Sequence, residues 1–337
     1  MTTPSRSTLI RVAVALLVGI AGGFYCYFSL KASGGPRPAD DFTWHWLAAR
    51  ALIEGKDPYV VISAGGPYHL DAPYVYPLTT AMAAVPFALF LSPAAAAATW
   101  IGCGSALLAW AVTRKSYDGL LIFLSMPYLW AANSGQFSPI ITAAAVIPAL
   151  GFITPVKPQI GLAALAWKPS RIALYGAIAF VALSFAINPG WVREWLDTLP
   201  HRVPGIYKSP ITVLGGPLLL LSIMKWRRPE GRLLLAMSLL PQNMLFYDQL
   251  LLWLIPNSRN QIMILGILSI LATFVGSIGL PPGASIIDVN QRYAPAIVAL
   301  VYLPCLIMVL RRPNRSDDDV EQEISSVRAT EPLVGSS

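Results

Sequence analysis

LIRVAVALLVGIAGGFYCYFSL, residues 9–30, decides the fold class. It is apolar over the length of about 20 residues that a helix needs to cross a bilayer. No small-residue cleavage site follows it, so it reads as a retained membrane helix rather than a signal peptide. Arg6 and Arg11 lie at its start and predict a cytoplasmic N-terminus. The whole chain continues in this vein. Of its 337 residues 55% are hydrophobic and 12% charged, where a soluble domain carries about 25% charged residues. The expected fold is all-α and polytopic, with about eight to eleven membrane helices, some of them broken.

The net charge of +7 fits basic cytoplasmic loops. No stripe of basic and aromatic side chains suits bases, so nucleic acid is not an expected partner. Cys26, Cys103 and Cys305 all fall in apolar runs. They have no metal-ligand spacing and are poor disulfide candidates.

Outward from the first helix, residues 31–76 form a long outer loop rich in Gly, Pro and aromatics. It holds Asp40-Asp41 and a helix expected over 42–54. Leu78–Leu91 is short and bracketed by Pro77 and Pro93. As a span it would put Arg114 and Lys115 outside, so it reads as an interfacial helix. The runs 94–113 and 119–132 then cross inward and outward. Between Gln136 (outside) and Lys168 (inside) an odd number of crossings is required, yet Pro139, Pro148, Pro155 and Pro158 interrupt the run. Broken helices at membrane depth are tolerated where they line a protein cavity. Residues 172–187 cross outward to a loop, 188–210, whose Trp-rich start suggests a second interfacial segment. Runs at 211–224, 233–240, 261–278 and 294–310 complete the bundle, with 249–256 a short return. Residues 1–312 form one membrane domain, and the polar tail 313–337 is expected to be disordered on the cytoplasmic side.

This topology gathers Asp40, Asp41, Tyr76, Gln136, Lys157, Arg202 and Lys208 of the 188–210 loop, Tyr247, Asp248 and the loop 279–293 on the outer face. A carboxylate at the bilayer edge can act as a general base, because partial desolvation raises its proton affinity. Asp is also a preferred helix N-cap, so Asp41 is either a base or a cap. Lys157 is either functional, as intramembrane lysines commonly are, or a lysine snorkelling to a headgroup.

Several motifs in order resemble glycosyltransferase family 87, multi-spanning enzymes of the GT-C type. They are Asp41-Phe42, Trp46, Ala48-Ala49-Arg50-Ala51-Leu52, Gly55-Lys56-Asp57-Pro58-Tyr59, Tyr76-Pro77, Gly135-Gln136 and Lys157-Pro158, over residues 9–260. The chain departs from the family in a short Gln136–Lys157 interval. It also has Phe246-Tyr247-Asp248-Gln249 where many members have Trp and paired His.

The resemblance implies two interfacial helices in the first outer loop and transfer of a hexose, mannose favoured, from a polyprenyl-phosphate sugar. An acceptor hydroxyl on a lipid or glycan would attack the anomeric carbon with inversion, Asp41 being the base and Asp40 the second candidate. Gln136, Lys157, Arg202, Lys208, Tyr247, Asp248 and Tyr76 would bind substrate, a cation stabilising the leaving phosphate. No DxD-like motif is visible in the outer loops, and neither a metal nor a cofactor is expected. The expected partners are the lipid-linked donor, a glycan or glycolipid acceptor and membrane lipids; the expected location is a bacterial inner membrane, both termini cytoplasmic. A transporter or flippase of lipid-linked sugars and a non-catalytic scaffold are the competing readings.

Overall fold

The structure is a computed structural model and describes residues 5–33, 38–63, 65–70, 72–199 and 207–313. Arg202 lies outside these residues, as does the tail beyond Pro313. The first apolar run is helix α1 (Arg6–Ser33). After it come α2 (Phe42–Ile53), α3 (Pro58–Val61), α4 (Leu78–Ala88) and α5 (Pro93–Val112). α1 and α5 run antiparallel. Gly19 approaches Gly102 and Gly23 approaches Ala98, while the Arg11 guanidinium stacks 4.0 Å from the Trp110 ring. A Cβ on Gly19 would sit 2.8 Å from the Gly102 carbonyl oxygen, the close approach that small residues permit between membrane helices. Arg11 and Arg114 therefore belong to the same end of this helix pair.

The middle of the chain is broken. A 3₁₀ segment (Tyr117–Leu124) and α6 (Met126–Asn133) meet at Ser125, so the expected continuous span 119–132 is two pieces. Next come α7 (Ser138–Val146), a 3₁₀ segment (Pro148–Val156) and α8 (Pro158–Trp167). Pro139, Pro148 and Pro158 each stand in the first turn of their segment, where the missing N–H costs nothing. The prolines thus divide the run 138–167 into three short segments. α7 and the 3₁₀ segment after it form a hairpin, because Gln136 and Lys157, at its two ends, are hydrogen-bonded.

α9 (Arg171–Ile187) and the short α10 (Trp191–Thr198) follow, bent by 92° where they meet. A 3₁₀ segment (Gly216–Lys225) and α11 (Pro229–Leu239) precede another 3₁₀ segment, Tyr247–Leu254. α12 (Arg259–Ser277), α13 (Ile286–Ile297), a π turn and α14 (Leu303–Leu310) close the bundle. Each 3₁₀ residue rises about 2.0 Å against about 1.5 Å in an α-helix, so these runs are longer than α-helices of the same residue number. Two small strand pairs depart from a purely helical fold. β1 (Ile62–Ser63) runs parallel to β2 (Tyr68–His69), and β3 (Tyr207–Lys208) antiparallel to β4 (Gln242–Asn243).

Among the described residues four stretches are long and apolar enough to cross a bilayer: α1, α5, α12 and the continuous run Ile286–Leu310. The bent α9–α10 pair makes five. Their outward faces are large and apolar. Leu16, Leu17, Ile20 and Phe24 on α1 are exposed, as are Ile264, Ile267, Ile270 and Phe274 on α12. Patches of this extent do not stay in water, and with the four to five candidate spans they mark a membrane protein. α4 is too short to span, in keeping with the sequence reading, but its first seven residues are buried rather than laid open on a surface.

Candidate functional site

The broken segments converge at Lys157. Its backbone is held from α4: the Thr79 hydroxyl donates to the Pro155 carbonyl at 2.9 Å and the Thr80 hydroxyl to the Val156 carbonyl at 2.7 Å. Prolines deprive such carbonyls of helical donors, and a buried carbonyl needs a replacement. Threonine side chains from a neighbouring helix supply it.

The Lys157 ammonium donates to Asp248 Oδ1 at 2.5 Å and to Gln136 Oε1 at 3.2 Å. It lies 4.5 Å from the centre of the Tyr247 ring. The Gln136 amide donates in turn to Asp41 Oδ2 at 2.6 Å. One glutamine thus joins the outer-loop carboxylate to the buried lysine. Lys157 is only 6% exposed, and its nitrogen is engaged by protein groups, so it does not snorkel.

Local conformation aims these side chains. Gly135 has φ +65°, and a Cβ there would come within 2.8 Å of Phe42 Cβ. Both demands exclude larger residues and turn Gln136 towards Asp41. The indole of Trp100 donates to the Gln136 carbonyl at 3.3 Å. Phe246, at φ +69°, carries the strained turn that presents Tyr247 and Asp248. Asp40 is also in the left-handed region, at φ +45°; aspartate tolerates that conformation better than most side chains.

Asp41 precedes α2, but its side chain makes no capping bond to that helix. The capping alternative is therefore not what its carboxylate does. His45, one turn into α2, is buried with its ring 4.5 Å from Tyr76 and 4.7 Å from Phe137. Burial, and secondarily the Lys157 charge, push its pKa down to about 3. It is a neutral wall of the site.

Tyr76, Lys157, Gln159, Trp195 and Tyr207 line a cavity of about 390 Å³. An adjoining cavity of about 350 Å³ shares Pro77, Pro158 and Leu162 with it and continues along Leu165, Ile178 and Val181. Both cavities are mainly apolar, and the polar side chains that line them, Lys157 and Gln159 among them, are concentrated in the first. The Trp195 indole is fixed by a 3.1 Å bond to the Val75 carbonyl, so the wall is preformed. Lys208 is half-buried in β3, opposite Gln242.

Of the residues expected at the site, Asp41, Gln136, Lys157, Tyr247 and Asp248 form one cluster, and Tyr76 lines the adjoining cavity. Sequence reasoning missed Thr79, Thr80, Asn243 and Asn290. Asn243 donates its backbone N–H to Asp248 Oδ2 at 3.1 Å and its side-chain amide to the Tyr247 hydroxyl. Asn290 on α13 donates to Asn243 Oδ1 at 2.7 Å. The available signal was amide side chains next to apolar runs, which need buried partners. No group of three or more His, Cys, Asp or Glu able to hold a metal occurs among the described residues.

No protein-family model, curated protein or solved structure matches the chain. The fold and site define its class as a mostly helical membrane protein with a buried, charged polar cluster at a helix break.

Proposed function

We propose that the protein is a GT-C-type membrane glycosyltransferase. It moves a hexose, mannose favoured, from a polyprenyl-phosphate sugar to a hydroxyl on a lipid or glycan at the outer face of a bacterial inner membrane. In this reading the bundle counts eight to eleven membrane helices including the broken ones, and both termini are cytoplasmic.

The observation that carries the reading is the pair of adjoining, mainly apolar cavities that Lys157, of the Asp41–Gln136–Lys157–Asp248 chain, enters at one end. A prenyl phosphate has two halves, an anionic head and a branched hydrocarbon tail. The cavity that holds Lys157 and Gln159 suits the head and sugar, with Tyr76, Trp195 and Tyr207 as aromatic walls, and the adjoining one suits the first isoprene units. Asp41, free of capping duty, takes the proton of the acceptor hydroxyl. The oxygen attacks the anomeric carbon as the bond to the phosphate oxygen breaks, with inversion, and the phosphate leaves already ionised. Lys157 supplies positive charge near it. Its charge is shared with Asp248, so its role is to orient rather than to act as a lone cation. Asp40 is the second candidate for the base.

The test is a proteoliposome assay with polyprenyl-phosphate mannose and its glucose and arabinose counterparts. Labelled sugar is sought in lipid and glycan fractions. Inactivity of folded protein with all three donors and a broad acceptor extract overturns the proposal. The buried Lys157–Asp248 pair at a helix break also suits a flippase of lipid-linked sugars. That reading gains if the labelled lipid changes leaflet without forming a new glycosidic bond.

A further inference from the structure

Asn243 is placed to control two of the three groups that confine the Lys157 ammonium, Asp248 and Tyr247 but not Gln136. Its N–H holds the Asp248 carboxylate and its side-chain amide holds the Tyr247 hydroxyl, while the Tyr247 ring lies against the ammonium. Asn243 is 4% exposed and Asp248 is fully buried. The Asn243 side chain is fixed from one further element, α13, by the fully buried Asn290. The Tyr293 ring of α13 packs 5.4 Å from Phe246, the strained residue that precedes Tyr247.

We infer that Asn290 is a positioning residue for Lys157. Through Asn243 it sets where Asp248 and Tyr247 hold the ammonium, and it thereby couples the placement of α13 to the charged cluster. The physical ground is that a buried carboxylate accepts what its donors dictate, and the interior offers no water as substitute. The inference concerns the site of the transferase reading but needs no substrate for its test, so the two stand or fall separately.

The test is competitive acetylation of the full chain in nanodiscs, read peptide by peptide. Lys157 reactivity is compared with that of Lys225, which donates to the Arg312 carbonyl elsewhere in the fold. In Asn290→Leu the reactivity of Lys157 is expected to rise about tenfold, the scale of losing one buried polar partner. Asn243→Leu should match it, and the double variant should go no further, because both substitutions break one chain. Lys225 should not change. If Asn290→Leu does not fold, Asn290→Ser, too short to reach Asn243, makes the same comparison. An unchanged Lys157 in the folded variant, or effects that simply multiply in the double variant, overturns the inference.

Discussion

The Lys157 ammonium stands 2.5 Å from the Asp248 carboxylate, with side-chain exposures of 7% and 0%. The partners are 91 residues apart in sequence. They meet because two breaks do: the Pro155–Pro158 interruption before α8 and the Phe246 turn before the 3₁₀ segment Tyr247–Leu254. Each break exposes backbone that a continuous helix would have satisfied. The polar cluster is where those exposed groups find partners.

Removing either charge alone leaves the other buried and unpaired, which costs about 3–5 kcal/mol of stability. Lys157→Met and Asp248→Leu should each unfold far more easily than wild type in detergent. The double variant should recover much of the loss, since two apolar side chains replace the pair. Chemical unfolding of all four proteins measures the coupling. Additive losses would show that the pair is not energetically joined.

Thr80→Val keeps the shape of the side chain but withdraws the donor from the Val156 carbonyl. A buried carbonyl left without a partner costs about 1–3 kcal/mol. The shift should be visible in thermal unfolding. A donor-binding defect should accompany it, because Lys157 is the next residue. Thr99→Val, at an exposed hydroxyl bonded within α5, is the control and should change neither.

The fold class was legible in the sequence because a bilayer allows few backbone solutions, and apolar length reports them directly. α1, α2, α5 and α9 lie within a few residues of the expected bounds. Asp41, Gln136 and Lys157 were legible because charged or amide groups beside apolar runs need a reason to be there. The donors that fix them were less so. Thr79 and Thr80 in an Ala-rich helix resemble ordinary membrane-helix residues, and only the third dimension shows the Pro155 and Val156 carbonyls opposite them. Ser125 looked equally ordinary, yet it is where 119–132 breaks. Its hydroxyl donates to the Ile122 carbonyl and accepts from the Tyr128 N–H. That local bonding ends one segment and starts the next.

Topology is open to direct labelling. Single cysteines at Ser116 and Asn133, in a background without Cys26, Cys103 and Cys305, mark the two ends of the broken segment 117–133. Both positions are exposed, whereas Ser134 is buried. The two should react with an impermeant thiol reagent from opposite sides, Ser116 from the cytoplasmic one. Reaction of both from the outer side would remove the cytoplasmic placement of Arg114.

His45 should make stability pH-dependent in a predictable sense. Its folded pKa is about 3, against an ordinary value of 6.5. Between those values the unfolded chain binds a proton that the folded chain refuses. The contribution is complete above about pH 6.5 and is lost as pH falls, at up to about 1.4 kcal/mol per unit. In His45→Phe this part of the slope should vanish while the packing against Tyr76 and Phe137 remains. Unfolding midpoints at pH 7, 6 and 5 compare the two, and identical slopes would place the titrating groups elsewhere.

Asp41→Asn separates chemistry from architecture. The carboxylate makes no capping bond to α2, so stability should barely change; loss of a genuine cap would cost about 1 kcal/mol. Asparagine can still accept the Gln136 amide through its carbonyl oxygen, and the link to Lys157 survives. What disappears is the capacity to take a proton. If Asp41 deprotonates the acceptor, turnover should fall by about 10²- to 10⁴-fold while donor binding persists. Asp40→Asn should cost much less, because that side chain precedes the residue joined to Gln136. Near-normal turnover in Asp41→Asn would move the base to Asp40 or Asp248. Of those two, Asp248 is already committed to Lys157 and would have to release it before accepting a proton, so Asp40→Asn would be the next variant to assay.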